Sequence, residues 1–131
     1  MDFIKVGAAS PKLKISDTKY NLKEIETMVL NAIEEEVKVL VFPELSISAY
    51  SCGDLFTNEK LIENCNLAIK NLVEFSKGKD ILMAVGAPFL YRYSLYNCAY
   101  VILNGEVLGI VPKSYIPNYS EFYEKRSTNS H

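Results

Sequence analysis

The sequence has few of the residues that build metal sites and disulfide frameworks. Its 131 residues include only three cysteines, none of them in a CxxC pair, and a single histidine. Disulfide scaffolds and structural zinc sites need several cysteines or histidines at short, characteristic spacings. We therefore expect neither a disulfide framework nor a metal site in this chain.

An excess of charge of one sign and a long apolar run are also missing. Fourteen Lys and Arg residues against sixteen Asp and Glu residues leave a net charge of −2, which offers no electrostatic attraction for nucleic acid or an anionic membrane. No apolar run approaches the roughly 20 residues of a membrane-spanning helix, and the start, MDFIK, lacks the pattern of a secretory signal peptide. We expect a cytoplasmic protein that binds neither nucleic acid nor membrane.

The composition is that of a globular protein, with 49% hydrophobic and 23% charged residues in a length that suits one domain or part of one. Apolar periodicity predicts three strands alternating with two helices, followed by a hairpin around Asn104-Gly105. The predicted elements are strand 3–9, helix 20–36, strand 38–42, helix 58–77, strand 81–87 and hairpin strands 95–103 and 106–111. This order predicts an α/β fold with a mixed sheet and two helices on one face.

Local signals predict where these elements begin and end. Asn21 followed by Glu24 is the pattern of a capping box and predicts the start of the first helix. Proline removes a backbone donor from a strand ladder, so Pro43, Pro88 and Pro112 are expected to end the apolar runs before them. Three strands are therefore predicted to leave the sheet at prolines.

Glu44 stands at one of these predicted strand ends, directly after Pro43. Ligands of open α/β sheets bind outside the carboxyl ends of the strands. A carboxylate there borders a low-dielectric core, where burial raises its pKa towards that of a general base. The same residue also fits a capping role in the next turn or an ion pair with a surface lysine.

Lys113 repeats this pattern after Pro112, at the end of the last predicted strand. Two strand ends would then deliver Glu44 and Lys113 to one rim of the sheet. A carboxylate beside an ammonium group can activate a nucleophile, because one accepts its proton and the other stabilises the negative charge that develops.

These two motifs resemble those of the nitrilase (carbon–nitrogen hydrolase) superfamily. The segment VFPEL at residues 41–45 is similar to the motif around the general base of that family, and VPK at 111–113 to the motif around its lysine. The flanking segments SAYSCGDLF at 48–56 and PKSYIPNY at 112–119 are similar to the N-terminal glutaminase domain of glutamine-dependent NAD synthetases. The resemblance covers residues 3–126 and implies part of an αββα sandwich with a Glu-Lys-Cys triad.

The resemblance also implies roles for individual residues. Glu44 would take a proton from a cysteine thiol and later from water, and Lys113 would stabilise the tetrahedral intermediate. Tyr50 and Tyr119 occupy positions that line the glutamine pocket, and Glu121 falls where the superfamily carries a second glutamate that positions the lysine or the substrate. The alternatives are ordinary core or rim tyrosines and a glutamate that faces solvent.

The cysteine nucleophile of this family lies well beyond the lysine motif, and none of the three cysteines is expected to replace it. Cys65 falls on the apolar stripe of a predicted helix, Cys98 falls in a predicted strand, and Cys52 matches a non-catalytic position of the synthetase motif. Residues 1–126 are thus expected to be the N-terminal part of a nitrilase-like glutaminase domain, and residues 127–131 a polar tail that departs from the family. The chain alone is expected to be inactive.

The sequence contains no Ser-Gly-Gly-x-Asp-Ser phosphate-binding loop, so we expect no cofactor in this chain. The resemblance places ATP and Mg in a separate synthetase domain, which makes NAD from nicotinic acid adenine dinucleotide with ammonia released from glutamine. Expected partners are glutamine, that synthetase domain and further copies of the same chain. Two alternatives stay open, a free-standing carbon–nitrogen hydrolase (an amidase) and a non-catalytic interaction module with an exposed apolar face.

Overall fold

Five strands and two helices alternate along the residues that the computed structural model describes, which are 4–14, 17–43, 46–47 and 59–116. In chain order they are β1 (Val6–Ala8), α1 (Thr18–Glu34), β2 (Val39–Val41), α2 (Glu59–Phe75), β3 (Leu82–Tyr91), β4 (Ser94–Leu103) and β5 (Glu106–Ile116). The strands form one mixed sheet in the order β1-β2-β3-β4-β5. The predicted α/β class is confirmed.

The directions of the strands follow from their connections. Strands β1, β2 and β3 pair in parallel because a helix follows each of the first two, while β4 and β5 join by antiparallel hairpins. Two successive reversals give β5 the direction of β2 and β3. The carboxyl ends of β2 and β5 therefore lie at the same edge of the sheet.

One face of the sheet carries both helices. Alternate residues of the strands, such as Leu40, Met83 and Ile102, share one buried cluster with the apolar stripes of the helices. The helix residues in that cluster are Ile25, Val29, Ala32, Leu61, Ile62, Cys65, Ala68, Ile69 and Leu72. The predicted stripe of the second helix is confirmed, and this face forms the core.

On the opposite face of the sheet several apolar side chains are exposed, and this part of the sheet is here called the open face. It includes Val6, Val41 and Val111, which are 63%, 44% and 45% exposed. The register places their side chains with those of Ala84 and Val101, away from the helices. In the described part of the fold, helices thus cover one face of the sheet, and apolar side chains are exposed on the other.

The start of α1 differs from the capping box predicted at Asn21 and Glu24. The N-cap is Asp17, whose carboxylate accepts a hydrogen bond from the backbone N–H of Tyr20 at 3.1 Å. Asn21 is completely buried inside the first turns of the helix. The predicted capping residue thus lies four positions after the observed one, and Asn21 has another role.

Two of the predicted strand ends are wrong, because β3 continues through Pro88 and β5 through Pro112. Pairing between β2 and β3 stops at Val41 and Ala84, and among the described residues no strand pairs with this edge of β3 at Pro88. Strand β5 is the last strand at its side of the sheet among the residues that the structure describes. Free edges tolerate proline, since no ladder hydrogen bond is lost there.

Tight turns connect the three antiparallel strands. Asn104 and Gly105 join β4 to β5 with φ values of 45° and 81°, which confirms the hairpin predicted at this dipeptide. Arg92 and Tyr93 join β3 to β4 with φ values of 48° and 65°. This second turn lacks the Gly, Asn, Asp or Pro residues that usually mark a turn, so it could not be predicted from the sequence.

Candidate functional site

The candidate site lies at the sheet edge where β2 and β5 end. Of the five predicted site residues, the described part of the chain includes Lys113. The other four, which are Glu44, Tyr50, Tyr119 and Glu121, lie outside the described residues. The geometry of the site is therefore that of Lys113 and of the residues that flank position 44.

Lys113 lies within β5 and is exposed. On its two sides, Pro112 pairs with Cys98 while Ser114 pairs with Asn97, so Lys113 is one extra residue in the ladder between β4 and β5. Such an insertion is a β-bulge, which bends the strand locally and changes the direction of a side chain. Bulges are frequent beside active sites, and this one falls at the residue singled out by the sequence.

The bulge also determines which aromatic rings meet beyond it. Because of the extra residue, Tyr115 lies opposite Tyr96, a position that Ser114 would otherwise occupy. The two rings contact edge to face, with centroids 5.6 Å apart and planes at 63°. This contact stabilises the shifted register and therefore the conformation around Lys113.

Strands β3 and β4 separate the two candidate strand ends. With neighbouring strands about 4.8 Å apart, the three spacings from β2 to β5 amount to roughly 14 Å across the sheet. Along the strands, β2 ends opposite Ala84 of β3, and Lys113 lies further on, beside Cys98 of β4. At this level the two intervening strands carry small side chains, Gly86 and Ala87 on β3 and Cys98 and Ala99 on β4. Of these, Ala87 and Cys98 lie in the buried core on the helix side of the sheet, while Gly86 and Ala99 face the other way.

The residues on both sides of position 44 are fixed to β3. Before it, the N–H of Phe42 donates to the carbonyl of Ala84 at 2.9 Å. After it, the N–H of Ile47 donates to the carbonyl of Gly86 at 3.1 Å, and the hydroxyl of Ser46 accepts from the N–H of Gly86 at 3.2 Å. The chain is therefore held by β3 two residues before and two residues after Glu44.

Two buried polar residues near the site were not predicted from the sequence. Ser46 is completely buried at the contact with Gly86, and Asn97 on β4 is 4% exposed beside the bulge. Polar residues that are this buried usually make hydrogen bonds, so each is expected to hold its neighbours in a defined arrangement. The sequence alone shows serine in a loop and asparagine in a strand, without the burial that makes them informative.

An apolar cavity of about 360 Å³ lies on the helix side of the sheet, beside the bulge. It is lined by Phe89, Tyr91, Tyr96, Cys98, Ile110 and Pro112. No charged side chain lines it, so it offers nothing to the ammonium and carboxylate groups of a free amino acid. We assign it to packing and place the candidate site at the end of the strands.

The described cysteines are buried. Cys65 is fully enclosed on α2, and burial raises the pKa of its thiol to about 12. Cys98 on β4 is 2% exposed, and burial raises its pKa as well. The expectation that Cys65 is a core residue is confirmed, whereas Cys52 lies outside the described residues.

Thiol reactivity provides a direct check of this burial. At pH 8 in native protein, Cys65 is expected to react with iodoacetamide about 1000-fold more slowly than in denaturant, because the thiolate is the nucleophile and a pKa of about 12 suppresses it. Cys98 should also be protected. Peptide mass mapping of the alkylated protein measures both sites, and labelling of Cys65 at its denatured rate would contradict the buried position.

Two further classes of site are absent from the residues that are described. Among them, no three His, Cys, Asp or Glu side chains come together as a metal site would require. No described helix is long and apolar enough to cross a membrane.

Comparison with known proteins identifies the family. The family model for carbon-nitrogen hydrolase matches residues 5–130. The chain belongs to the carbon–nitrogen hydrolase family. The similarity spans both strand ends of the candidate site, so the shared motifs and the observed topology concern the same region of this carbon–nitrogen hydrolase.

Relatives of this carbon–nitrogen hydrolase include much longer proteins. The glutamine-dependent NAD(+) synthetase of Mycobacterium leprae is 36% identical over 124 residues, which are 95% of this chain and 18% of the relative. That of Aquifex aeolicus is 37% identical over 123 residues, 94% of this chain and 21% of the relative. The chain thus spans about a fifth of the length of these relatives.

Solved structures support the fold of this carbon–nitrogen hydrolase. A glutamine-dependent NAD(+) synthetase from Cytophaga hutchinsonii matches with a TM-score of 0.70 and 30% identity, covering 82% of this chain and 18% of that one. An amidase from Nesterenkonia sp. matches with a TM-score of 0.76 and 20% identity, covering 84% and 42%. At that identity the amidase shows the shared fold alone.

Proposed function

We propose that this chain is the N-terminal part of a glutaminase domain that supplies ammonia to a glutamine-dependent NAD synthetase. The observation that carries the proposal is the common direction of β2 and β5, whose carboxyl ends share one edge of the sheet. Similarity to synthetases over 95% of the chain supports glutamine as the substrate. In a longer protein, ATP and Mg would act in the synthetase domain.

The first half of the proposed reaction forms a thioester. Glu44 accepts the proton of a cysteine thiol supplied by the remainder of the domain, and the thiolate attacks the side-chain amide carbon of glutamine. The ammonium group of Lys113 stabilises the negative oxygen of the tetrahedral intermediate. The carbon–nitrogen bond then breaks, and ammonia leaves with the proton that Glu44 held.

The second half of the reaction hydrolyses the thioester. Glu44 accepts a proton from water, and the hydroxide attacks the thioester carbon beside Lys113. The carbon–sulfur bond breaks, the sulfur recovers the proton, and glutamate leaves. In this proposal Tyr50 and Tyr119 line the glutamine pocket, Glu121 positions Lys113 or the substrate, and the protein works in the cytoplasm as a homo-oligomer.

The proposal is tested in a chimaera in which this chain replaces the corresponding N-terminal segment of the Aquifex aeolicus relative. We expect the chimaera to release ammonia from glutamine with a kcat/KM at least about 100-fold above that for propionamide, since a polar pocket rejects a ligand that lacks its polar groups. The 131-residue chain alone should release none. A chromatographic or coupled ammonia assay measures each rate.

A matched pair of tyrosine variants tests whether the preference for glutamine over propionamide comes from this chain or from the rest of the chimaera. Tyr119→Ala should lower kcat/KM for glutamine much more than for propionamide, whereas Tyr93→Ala, in the exposed turn between β3 and β4, should change neither. Equal activity of a folded chimaera on both amides would instead favour a general amidase. A folded chimaera without any hydrolysis would favour an interaction module.

A further inference from the structure

The side chain of Asn21 makes a set of hydrogen bonds that its place on α1 does not require. Its amide nitrogen donates to the carbonyl of Lys14 at 2.8 Å and to the carbonyl of Ile47 at 2.9 Å. Its amide oxygen accepts from the N–H of Lys14 at 2.7 Å. One fully buried side chain thereby joins the segment before α1 to the segment after β2.

The bond to Ile47 closes a clamp around the residues that follow position 44. The backbone of Ile47 contacts β3 through its N–H, which donates to Gly86, and α1 through its carbonyl, which accepts from Asn21. Beside it, Ser46 bonds Gly86 through its hydroxyl. We call Asn21, Ser46, Ile47 and Gly86 the buried clamp.

We propose that Asn21 is a positioning residue for the general base, acting through the buried clamp on the backbone that carries Glu44. The inference rests on the proposed function, and it extends that function to a residue on a helix outside the site. Backbone hydrogen bonds already fix the chain at Phe42, before position 44. The clamp fixes it at Ser46 and Ile47, so that the chain is held on both sides of position 44.

No other common side chain can replace this set of contacts. Aspartate has the same shape but no N–H groups, so it would place negative charge against the carbonyls of Lys14 and Ile47. Alanine and leucine would leave the carbonyls of Lys14 and Ile47 and the N–H of Lys14 without these bonds, and the bond to the Ile47 carbonyl is buried. Glutamine is one carbon longer than the enclosed site allows.

Hydrogen exchange in the 131-residue chain tests the clamp without any activity. In Asn21→Ala the amide of Lys14 loses its acceptor directly, and the amide of Ile47 should exchange at least about tenfold faster because its other anchor is gone. Asn31→Ala, an exposed asparagine on the same helix, should change neither amide. Unchanged protection of Ile47 in a folded Asn21→Ala protein would overturn the clamp.

Kinetics in the chimaera test the positioning role. Asn21→Ala should lower kcat for glutamine by about 100-fold with KM changed by less than threefold, because a small misplacement of the base slows chemistry without removing binding contacts. Ser46→Ala removes the hydroxyl that bonds Gly86 in the same clamp and should give a smaller loss in the same direction. It keeps the inference testable if Asn21→Ala fails to fold.

A control variant separates positioning from general loss of stability. Val29→Ala on the buried side of α1 destabilises the same helix without touching the clamp, and its kcat should stay within twofold at a temperature where both variants are folded. If Glu44→Gln abolishes hydrolysis while Asn21→Ala behaves like Val29→Ala, the inference about Asn21 is wrong. If Glu44→Gln retains hydrolysis, the proposed function fails and this inference with it.

Discussion

Replacing Lys113 with methionine is expected to lower kcat/KM for glutamine in the chimaera by about 100- to 1000-fold, the typical loss when one group that stabilises an oxyanion is removed. Methionine keeps an unbranched side chain but has no charge, so packing around the bulge should be preserved. Steady-state ammonia release measures the change. Lys70→Met, which removes an exposed lysine of α2, is the matched control and should leave the rate unchanged.

A second variant, Lys113→Arg, tests whether any positive charge is sufficient at this position. Lysine carries a compact point charge on a flexible stem, whereas the guanidinium of arginine is wide and planar, so Lys113→Arg should not restore the rate. Circular dichroism and the melting temperature should remain close to those of the unmodified chimaera in all three variants. Activity of Lys113→Met within tenfold of the unmodified chimaera would show that this lysine does not stabilise the intermediate.

The alternation of strands and helices was predictable from the sequence because it depends on local periodicity. The apolar stripe through Leu61, Cys65 and Leu72 has the period of a helix, and its residues are buried on α2. Asn104-Gly105 is favourable in only a few backbone conformations, and it forms the predicted turn. In these cases the residues that are close in sequence are sufficient to predict the local structure.

The bulge and the ends of β3 and β5 could not be predicted in the same way. Whether Pro88 and Pro112 break a strand depends on whether another strand pairs along that edge, which is a property of the whole sheet. The extra residue at Lys113 exists only relative to its partners Asn97 and Cys98 on β4. The sequence therefore singles out the lysine as a candidate but does not predict the bulge in which it lies.

Asn21 illustrates a competition between two roles for one residue type. Asparagine near a helix start commonly caps the helix, and the pattern with Glu24 favours that interpretation. In the fold Asp17 caps α1, and Asn21 bonds to a segment 26 residues away. Such a long-range partner is invisible to a local pattern, so the clamp emerges only from the tertiary structure.

The open face connects the fold with the length of the relatives. Val6, Val41 and Val111 expose apolar surface on the side of the sheet away from the helices. The resemblance to an αββα sandwich assigns such a face to contact with a second sheet, and the chain spans only 18% of the synthetase relative from Mycobacterium leprae.

Replacing Glu44 with glutamine is expected to lower kcat for glutamine hydrolysis in the chimaera by about 100- to 10,000-fold, the range that general bases contribute. The amide has nearly the same shape as the carboxylate but cannot accept the proton of a thiol or of water, so both halves of the reaction should slow. Ammonia release under saturating glutamine measures kcat, and binding of glutamine should change little.

The matched control is Glu106→Gln, which neutralises an exposed glutamate at the opposite end of β5. This variant has the same change of charge and should keep full activity, because Glu106 lies at the amino end of a strand whose other end carries Lys113. Hydrolysis by Glu44→Gln within a few-fold of the control would show that another group is the base. Loss of hydrolysis in Glu44→Gln but not in Glu106→Gln would support Glu44 as the residue that accepts the proton.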